Sequence, residues 1–245
     1  MRRIPHKSLE DISSEWDVIA DKRQHIIEQG KDLSLLYVTA PCILRNVELL
    51  NAKRVIDVGR GSGYLTHKIS KLVDNCWGID SSVASIQLAQ KKYSSDNMHF
   101  FVSTISNYKF PSNIDVCTAN MVFMDDPEWR QSILHIYHEL LPGGSFLFTI
   151  THPCFWPQYW GYDKEPWFDY FKEIYIEADF NITTEKKLGI STHIHRPLSQ
   201  YMNDLLSVGF SIVNIEEPLP ILDLPMNYEK RYPRFLFFHC KKRYD

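Results

Sequence analysis

The sequence has few cysteines and lacks both long apolar runs and long basic runs. Its five cysteines, among 245 residues, are scattered, and no two of them form a CxxC pair. An odd number without such pairs disfavours a disulfide framework and a zinc site. The formal net charge is −3, and no stretch approaches the roughly 20 apolar residues of a membrane span. We therefore expect no metal, no nucleic-acid partner, no membrane partner and a cytoplasmic location.

The composition is that of an ordinary globular protein, with 44% hydrophobic and 23% charged residues. The length fits one α/β domain covering 1–245, because a core of this size needs no second fold. We divide this domain into an N-terminal helical cover (1–50), a core with a glycine-rich turn (51–151), an aromatic insertion (152–196), and a last helix with a closing hairpin (197–245).

Strands and helices alternate through the core. The run Arg54–Val58 stops at a glycine, and the residues after Tyr64 then follow helical spacing. The other predicted strands are Cys76–Ile79, Met98–Val102, Ile114–Ala119, Ser145–Ile150, Ser211–Ile215 and Phe235–Cys240. Such alternation predicts a parallel sheet with right-handed crossovers. Since no helix separates the last two strands, we expect them to pair antiparallel.

A glycine-rich turn, Asp57-Val58-Gly59-Arg60-Gly61-Ser62-Gly63, lies between the first of these strands and a helix. Glycines let the backbone pass close to a ligand, because no Cβ blocks it and positive φ is allowed. A dinucleotide fingerprint needs a glycine where this chain has Tyr64, and a phosphate-binding loop needs Gly-Lys-Ser/Thr. The turn therefore fits neither a dinucleotide-binding site nor a phosphate-binding loop well.

Two further marks follow the turn. The second strand ends in Trp77-Gly78-Ile79-Asp80-Ser81, and a turn Leu140-Leu141-Pro142-Gly143-Gly144 precedes the fifth strand. A carboxylate at Asp80 can accept hydrogen bonds from both ribose hydroxyls of a nucleoside, as in other nucleotide folds. Neither segment identifies a protein family by itself, since carboxylates bind ribose in several nucleotide folds and a Pro-Gly-Gly sequence is also an ordinary turn.

Taken together, these three segments resemble class I S-adenosylmethionine-dependent methyltransferases, and the resemblance covers nearly the whole chain. It implies a Rossmann-like sheet of seven strands in the order 3-2-1-4-5-7-6, with strand seven antiparallel, and S-adenosylmethionine as the cofactor. The positions implied to contact the cofactor are Asp57, Gly59, Gly61, Gly63, Asp80, Ser81, Thr104, Ile105, Asn120 and Met121.

Two positions depart from the family's pattern. Arg60 stands where many relatives have a small residue or Cys, and Thr104 stands where an Asp often ends the third strand. We expect the Arg60 side chain to point to solvent, with pairing to the cofactor's carboxylate as the alternative. Thr104 can still contact the adenine amino group through its hydroxyl.

Methyl transfer needs donor and acceptor aligned, and a general base if the acceptor loses a proton. We predict His152 and His195 as catalytic, because Thr151–Phe155 and His195–Ser199 resemble paired motifs that flank a lid in small-molecule methyltransferases. The alternative for His152 is a structural histidine that braces the Pro153 turn. His193 and His195 share a strand face, a spacing metals use, but no third ligand is near in sequence.

The insertion after the fifth strand is rich in aromatic residues. We predict it as a lid over the methyl acceptor, bound by Trp156, Tyr159, Trp160, Trp167 and Tyr170. The alternative is a small satellite core. The segment 119–126 lacks the Asn/Asp-Pro-Pro-aromatic motif of methyltransferases acting on amide or exocyclic nitrogens of proteins and DNA. Its Asp125 and Asp126 are interpreted as helix caps.

The sequence thus predicts transfer of a methyl group to an O or N atom of a small, flat or aromatic metabolite. The alternatives are a peptide or protein methyltransferase and a non-catalytic binding protein that keeps the fold. A nicotinamide oxidoreductase is a more distant alternative. The oligomeric state stays open, and the acceptor depends on pocket shape rather than on the sheet.

Overall fold

A computed structural model of the chain describes residues 1–182, 184–224 and 231–244. Residues 225–230, which fall in the predicted connection between the last two strands, lie outside the described residues. Within the described ranges, no helix combines the length and the apolar character that a membrane crossing requires.

The strands, in chain order, are β1 (Arg2–Ile4), β2 (Arg54–Val58), β3 (Asn75–Asp80), β4 (Met98–Val102), β5 (Val116–Asn120), β6 (Ser145–Thr151), β7 (Ile174–Asp179), β8 (Ile190–His195), β9 (Ser211–Glu216) and β10 (Phe235–Lys241). The helices are α1 (Leu9–Glu28), α2 (Ala40–Leu49), α3 (Tyr64–Ile69), α4 (Val83–Lys92), α5 (Trp129–Glu139), α6 (Trp156–Trp160) and α7 (Leu198–Val208), and a π-helical turn, Leu35–Thr39, precedes α2.

Seven strands form the main sheet in the order β4-β3-β2-β5-β6-β10-β9. In the numbering of the predicted strands this is 3-2-1-4-5-7-6, so the predicted Rossmann-like fold is confirmed. β2 pairs parallel to β3 and β5, whereas β10 runs antiparallel to β6 and β9. The central strands carry continuous apolar runs because helices cover both faces of the sheet. The apolar residues of α5 and α7 pack on one face, and those of α2 and α3 pack on the other.

A second, three-stranded antiparallel sheet, β1-β7-β8, was not predicted from the sequence. It joins the N-terminus to the insertion, with Arg2 opposite Glu177 in register and their side chains 2.7 Å apart. The partners are far apart in the chain, and β1 is only three residues long. No local sequence pattern therefore predicts this pairing.

Helix α1 lies at the carboxyl ends of the central strands. Ser8 caps it by accepting a hydrogen bond from the Asp11 N–H at 3.1 Å. Asp17 accepts hydrogen bonds from the Ser82 hydroxyl and the Ala84 N–H, at 2.6 and 3.0 Å, so α1 is tied to the start of α4. In open α/β sheets ligands bind at this edge, and α1 lies over it.

Candidate functional site

The glycine turn after β2 has left-handed backbone at all three glycines, with φ values of 61°, 59° and 86° at Gly59, Gly61 and Gly63. A Cβ on Gly59 would lie 2.5 Å from a Val122 methyl, whereas a Cβ on Gly61 would meet open space. Gly59 thus permits close packing, and Gly61 leaves room for a ligand. Gly63 is the N-cap of α3 and packs against the Arg60 side chain, and its role as a cofactor contact stays a prediction.

Asp80, at the end of β3, connects the glycine turn to the start of α4, at the edge of the sheet formed by the carboxyl ends of the parallel strands. Its carboxylate accepts hydrogen bonds from the Gly61 N–H at 2.7 Å and the Ser82 N–H at 2.8 Å. Burial raises the pKa of Asp80, while these two bonds and the Arg60 charge oppose that shift. Each carboxylate oxygen keeps a lone pair, so both can still accept bonds from hydroxyl donors of a ligand.

A cavity of about 760 Å³ opens between the turn and α1, and we call it the cofactor cavity. The predicted cofactor residues that line it are Gly59, Gly61, Asp80, Ser81, Thr104, Ile105, Asn120 and Met121. The structure therefore brings together eight positions that come from four separate strand ends and turns. Their roles as cofactor contacts stay predictions.

Asp57 lines a recess of about 550 Å³ next to the cofactor cavity. Its side chain is fully buried and accepts hydrogen bonds from the hydroxyls of Thr66 and Thr118, at 2.6 and 2.8 Å. Burial raises the pKa of Asp57 to about 6, although the two hydroxyls oppose the shift.

Arg60 is buried and 7% exposed, so the prediction that it points to solvent was wrong. Its guanidinium carbon lies 4.0 Å from the centre of the Phe100 ring, in space left by Gly63 and Gly78. Among the described residues none hydrogen-bonds its three guanidinium nitrogens. Burial lowers the pKa of Arg60 to about 10, and the charge of Asp80 is the largest opposing cause.

A second cavity of about 790 Å³ adjoins the first, and we call it the acceptor cavity. Both cavities are lined by Trp16, Arg23, Asn120, Met121 and Asp125. The acceptor cavity is further lined by Asp32, Met124, Trp156, Trp160, Phe180 and His193, among others. A mostly apolar cavity with a few polar groups is typical of small-molecule sites.

Two residues at the end of β5 stand between the cavities. The Asn120 Oδ1 accepts the Thr149 hydroxyl at 2.7 Å, which fixes the amide orientation and leaves its NH₂ group as a donor. Met121 has a φ of 60°, a left-handed conformation that is unfavourable for a residue with a side chain. Such strained backbone is often found at functional sites.

The predicted acceptor-binding aromatics divide into two groups. Trp156 and Trp160 line the acceptor cavity. Tyr159 lies 4.2 Å below the Arg234 guanidinium, Trp167 stacks on Tyr162, and the Tyr170 hydroxyl accepts the Leu198 N–H at 3.1 Å. These three make packing contacts in the structure, and their role as acceptor contacts stays a prediction. Its own apolar cluster is the satellite core kept as the alternative.

The two predicted catalytic histidines lie outside both cavities. His152 contacts Glu217 at 3.1 Å, and its Nδ1 accepts the Cys154 N–H at 3.2 Å, so it braces the turn at Pro153. His195 lies between the Tyr162 hydroxyl at 3.3 Å and the Tyr170 carbonyl at 3.0 Å. Each ring is held by these contacts, and the catalytic roles of the two histidines stay predictions.

His193, two residues before His195 on β8, lines the acceptor cavity instead. Burial lowers its pKa well below the usual value, so its ring is neutral near pH 7. Within the described ranges no three potential metal ligands form a cluster, so His193 and His195 have no third ligand near them there.

Sequence reasoning missed Arg23, Asp32 and Asp125 as cavity residues. The Arg23 Nε lies 3.5 Å from the Asp32 carboxylate, and its guanidinium carbon lies 5.6 Å from the centre of the Trp16 ring. Arg23 and Trp16 are seven residues apart on α1, so the helical spacing placed them on one face. The sequence of that face contains no motif of a binding site, because the other residues that line the cavities come from other elements.

Part of the chain is similar to known methyltransferases. Residues 55–144 match the family described as methyltransferase domain. An uncharacterized methyltransferase of Bacillus subtilis is 24% identical over 51% of this chain and 48% of its own length. The chain spans about half the length, or less, of the curated relatives it matches.

Solved structures show the same fold over most of the chain. A methyltransferase from Listeria monocytogenes, described as S-adenosylmethionine dependent, has a TM-score of 0.64 at 22% identity, covering 84% of this chain and 98% of its own. A 1,6-didemethyltoxoflavin-N1-methyltransferase from Burkholderia thailandensis, solved with S-adenosylhomocysteine, has a TM-score of 0.62 at 13% identity, covering 99% and 93%. The fold of this chain is that of S-adenosylmethionine-dependent methyltransferases.

Proposed function

We propose that this chain transfers a methyl group from S-adenosylmethionine to an O or N atom of a small metabolite, with flat or aromatic acceptors favoured. The observation that carries the proposal is the pair of adjoining cavities, since Asn120, Met121 and Asp125 line both. When bound, S-adenosylmethionine supplies an electrophilic methyl group on a sulfonium. The protein then has to align the acceptor and exclude water.

The cofactor cavity fits an adenosine-containing ligand. The open space above Gly61 admits the ligand next to the backbone, and the free lone pairs of Asp80 suit two ribose hydroxyls. Ile105 offers an apolar surface for a ring, and Thr104 offers a hydroxyl at the same wall. Asp57 lines the recess beyond the turn, where we place the amino end of the methionine part.

The acceptor cavity favours small substrates over peptides. Its lining is mostly apolar with a few polar groups, as in metabolite sites, and α1 closes the side next to the cofactor cavity. Trp16, Trp156, Trp160 and Phe180 offer ring faces to a flat acceptor. Because Arg60 packs over Phe100 and does not fill the cofactor cavity, a non-catalytic binding protein is the weaker alternative.

Calorimetric titration with S-adenosylhomocysteine and, separately, with NADH tests the proposal. We expect micromolar binding of S-adenosylhomocysteine and none of NADH. Binding of NADH alone would overturn the methyltransferase assignment. The acceptor is then sought with S-adenosylmethionine carrying a tritiated methyl group and a panel of phenols, amines and carboxylic acids, against short peptides as the competing class.

A further inference from the structure

Asp125 and Asp126 follow each other in the loop between β5 and α5, but their side chains have different surroundings. Asp126 is fully engaged, because its carboxylate accepts the Glu128 N–H at 2.7 Å and the Ser132 hydroxyl at 2.6 Å. These bonds hold the approach to α5, whose N-cap is Glu128, so the prediction that both aspartates cap this helix was wrong. The Asp125 carboxylate accepts no hydrogen bond from the described residues, and it lines both the cofactor cavity and the acceptor cavity.

The backbone around Asp125 is held from two sides. The buried Arg196 guanidinium donates to the carbonyls of Phe123 and Asp126, at 2.6 and 2.7 Å. The Ile194 N–H donates to the Met124 carbonyl at 2.6 Å. Ile194 of β8 and Arg196, just after β8, thereby fix the loop. Asp125 is therefore held rigidly at the two cavities. Rigid support of a reacting group is what catalysis by positioning requires.

From this geometry we propose that Asp125 is the catalytic base, which takes a proton from the N–H or O–H group of the acceptor during methyl transfer. The inference rests on the proposed function. It deepens that function by restricting the acceptor to one that carries a hydrogen-bond donor at the methylated atom.

The step balances in atoms and charge. The acceptor lone pair forms the new bond to the methyl carbon, and the carbon–sulfur bond breaks with its electron pair kept by sulfur. The proton on the acceptor atom passes to a carboxylate oxygen of Asp125, which becomes a neutral carboxylic acid. The proton leaves to solvent when the products are released.

The charged and titratable groups around Asp125 make its carboxylate more basic than an ordinary one. Burial raises its pKa well above the usual range; Glu15 and Asp126 act in the same direction, and Arg23 and Arg196 oppose it. Asp32 and His193 also line the acceptor cavity, and Tyr201 interacts electrostatically with Asp125. A carboxyl with a raised pKa is a stronger base than an ordinary one, and general bases act best with a pKa near the working pH.

The first test reads the protonation of Asp125 without turnover. Protein labelled with ¹³C at the aspartate carboxyls is titrated by NMR with S-adenosylhomocysteine bound, as wild type and as Asp125→Asn. We expect a carboxyl signal that titrates above the usual aspartate range in the wild type and is missing from the variant. If Asp125 titrates at an ordinary aspartate pKa, the proposal is overturned.

The second test separates the base from the cofactor site. Asp125→Asn should bind S-adenosylhomocysteine within about threefold of the wild type. With the acceptor found in the panel, kcat should fall about 100- to 10,000-fold, the cost of losing general-base catalysis. The acidic limb of the pH–rate profile, where activity rises as Asp125 loses its proton, should disappear.

Asp163→Asn is the matched control, because Asp163 is exposed in the insertion and the change is the same. It should behave as the wild type in every assay. An Asp125→Asn variant that keeps kcat and the acidic limb overturns the base while leaving the methyltransferase assignment intact. A wild type that fails to bind S-adenosylhomocysteine overturns both.

Discussion

Asp80 connects the glycine turn to the start of α4 through two backbone hydrogen bonds. We expect Asp80→Ala to weaken binding of S-adenosylhomocysteine about 10- to 100-fold, because hydrogen bonds to a charged group contribute about 1.5–3 kcal/mol. Calorimetry measures this, with the exposed Asp96→Ala as the control. Unchanged affinity in Asp80→Ala would mean that the cofactor lies elsewhere.

Asp57 makes the folded state sensitive to pH. Its pKa of about 6 lies above the value of about 4 in an unfolded chain, so the folded protein holds the proton more tightly. This contribution to stability is present below pH 4 and is lost as the pH rises to 6. Linkage gives a loss of about 3 kcal/mol over that interval.

We therefore expect Asp57→Asn to be more stable than the wild type at pH 7 and to lack this fall between pH 4 and 6. Urea denaturation at the two pH values measures both effects. Asp74→Asn, a surface change of the same kind, should keep the wild-type fall. If Asp57→Asn also keeps it, another group is responsible for the pH dependence.

At the scale of elements, α1 closes both cavities. Trp16 and Arg23 line the cofactor cavity, the acceptor cavity and the recess beside the turn. Asp17, on the same helix, holds the start of α4. Since α1 contributes side chains to every part of the site, its packing should depend on whether the cofactor is present.

We expect Trp16→Ala to lower the affinity for S-adenosylhomocysteine at least tenfold, since an apolar wall of the site is removed. Amide hydrogen exchange of α1 should slow when S-adenosylhomocysteine binds to the wild type, more than exchange of the buried sheet. Val18→Ala is the control on the same helix, because Val18 is 67% exposed. Equal losses in Trp16→Ala and Val18→Ala would show that only helix stability is affected.

The small sheet β1-β7-β8 also acts at this scale. Lys7 contacts Glu177 at 3.0 Å and also pairs with Glu15, so the small sheet is joined to α1. β8 in turn carries His193 into the acceptor cavity and Arg196 to the loop of Asp125. The insertion therefore contributes to the site mainly through strands and an arginine, and less through an aromatic lid.

At the scale of the whole molecule, cofactor binding should stabilise the folded state by mass action. At 100 times its dissociation constant, S-adenosylhomocysteine adds about 2.7 kcal/mol, which corresponds to a rise in Tm of about 5–10 °C for a chain of this size. NADH at the same concentration should leave Tm unchanged. A thermal scan measures both, and a rise with NADH alone would contradict the expected cofactor.

The sequence by itself determined the strands of the main sheet and the helices between them. These features are local: apolar runs that end in glycine or aspartate, at spacings that one helix fills. The strand order came from the resemblance to a family. Through resemblance the sequence also indicated most of the positions around the cofactor cavity, from Gly59 to Met121, because they follow strand ends in chain order.

Only the tertiary structure decided which side chains face the acceptor. His152 and His195 were plausible bases by sequence, yet hydrogen bonds of the insertion hold them outside the cavities. Asp125 resembled an ordinary cap, yet it lines both cavities, and Glu128 is the N-cap of α5. Arg60 was expected in solvent and is buried over Phe100. Each outcome depends on contacts between segments far apart in the chain. The residue spacing within one segment does not predict such contacts.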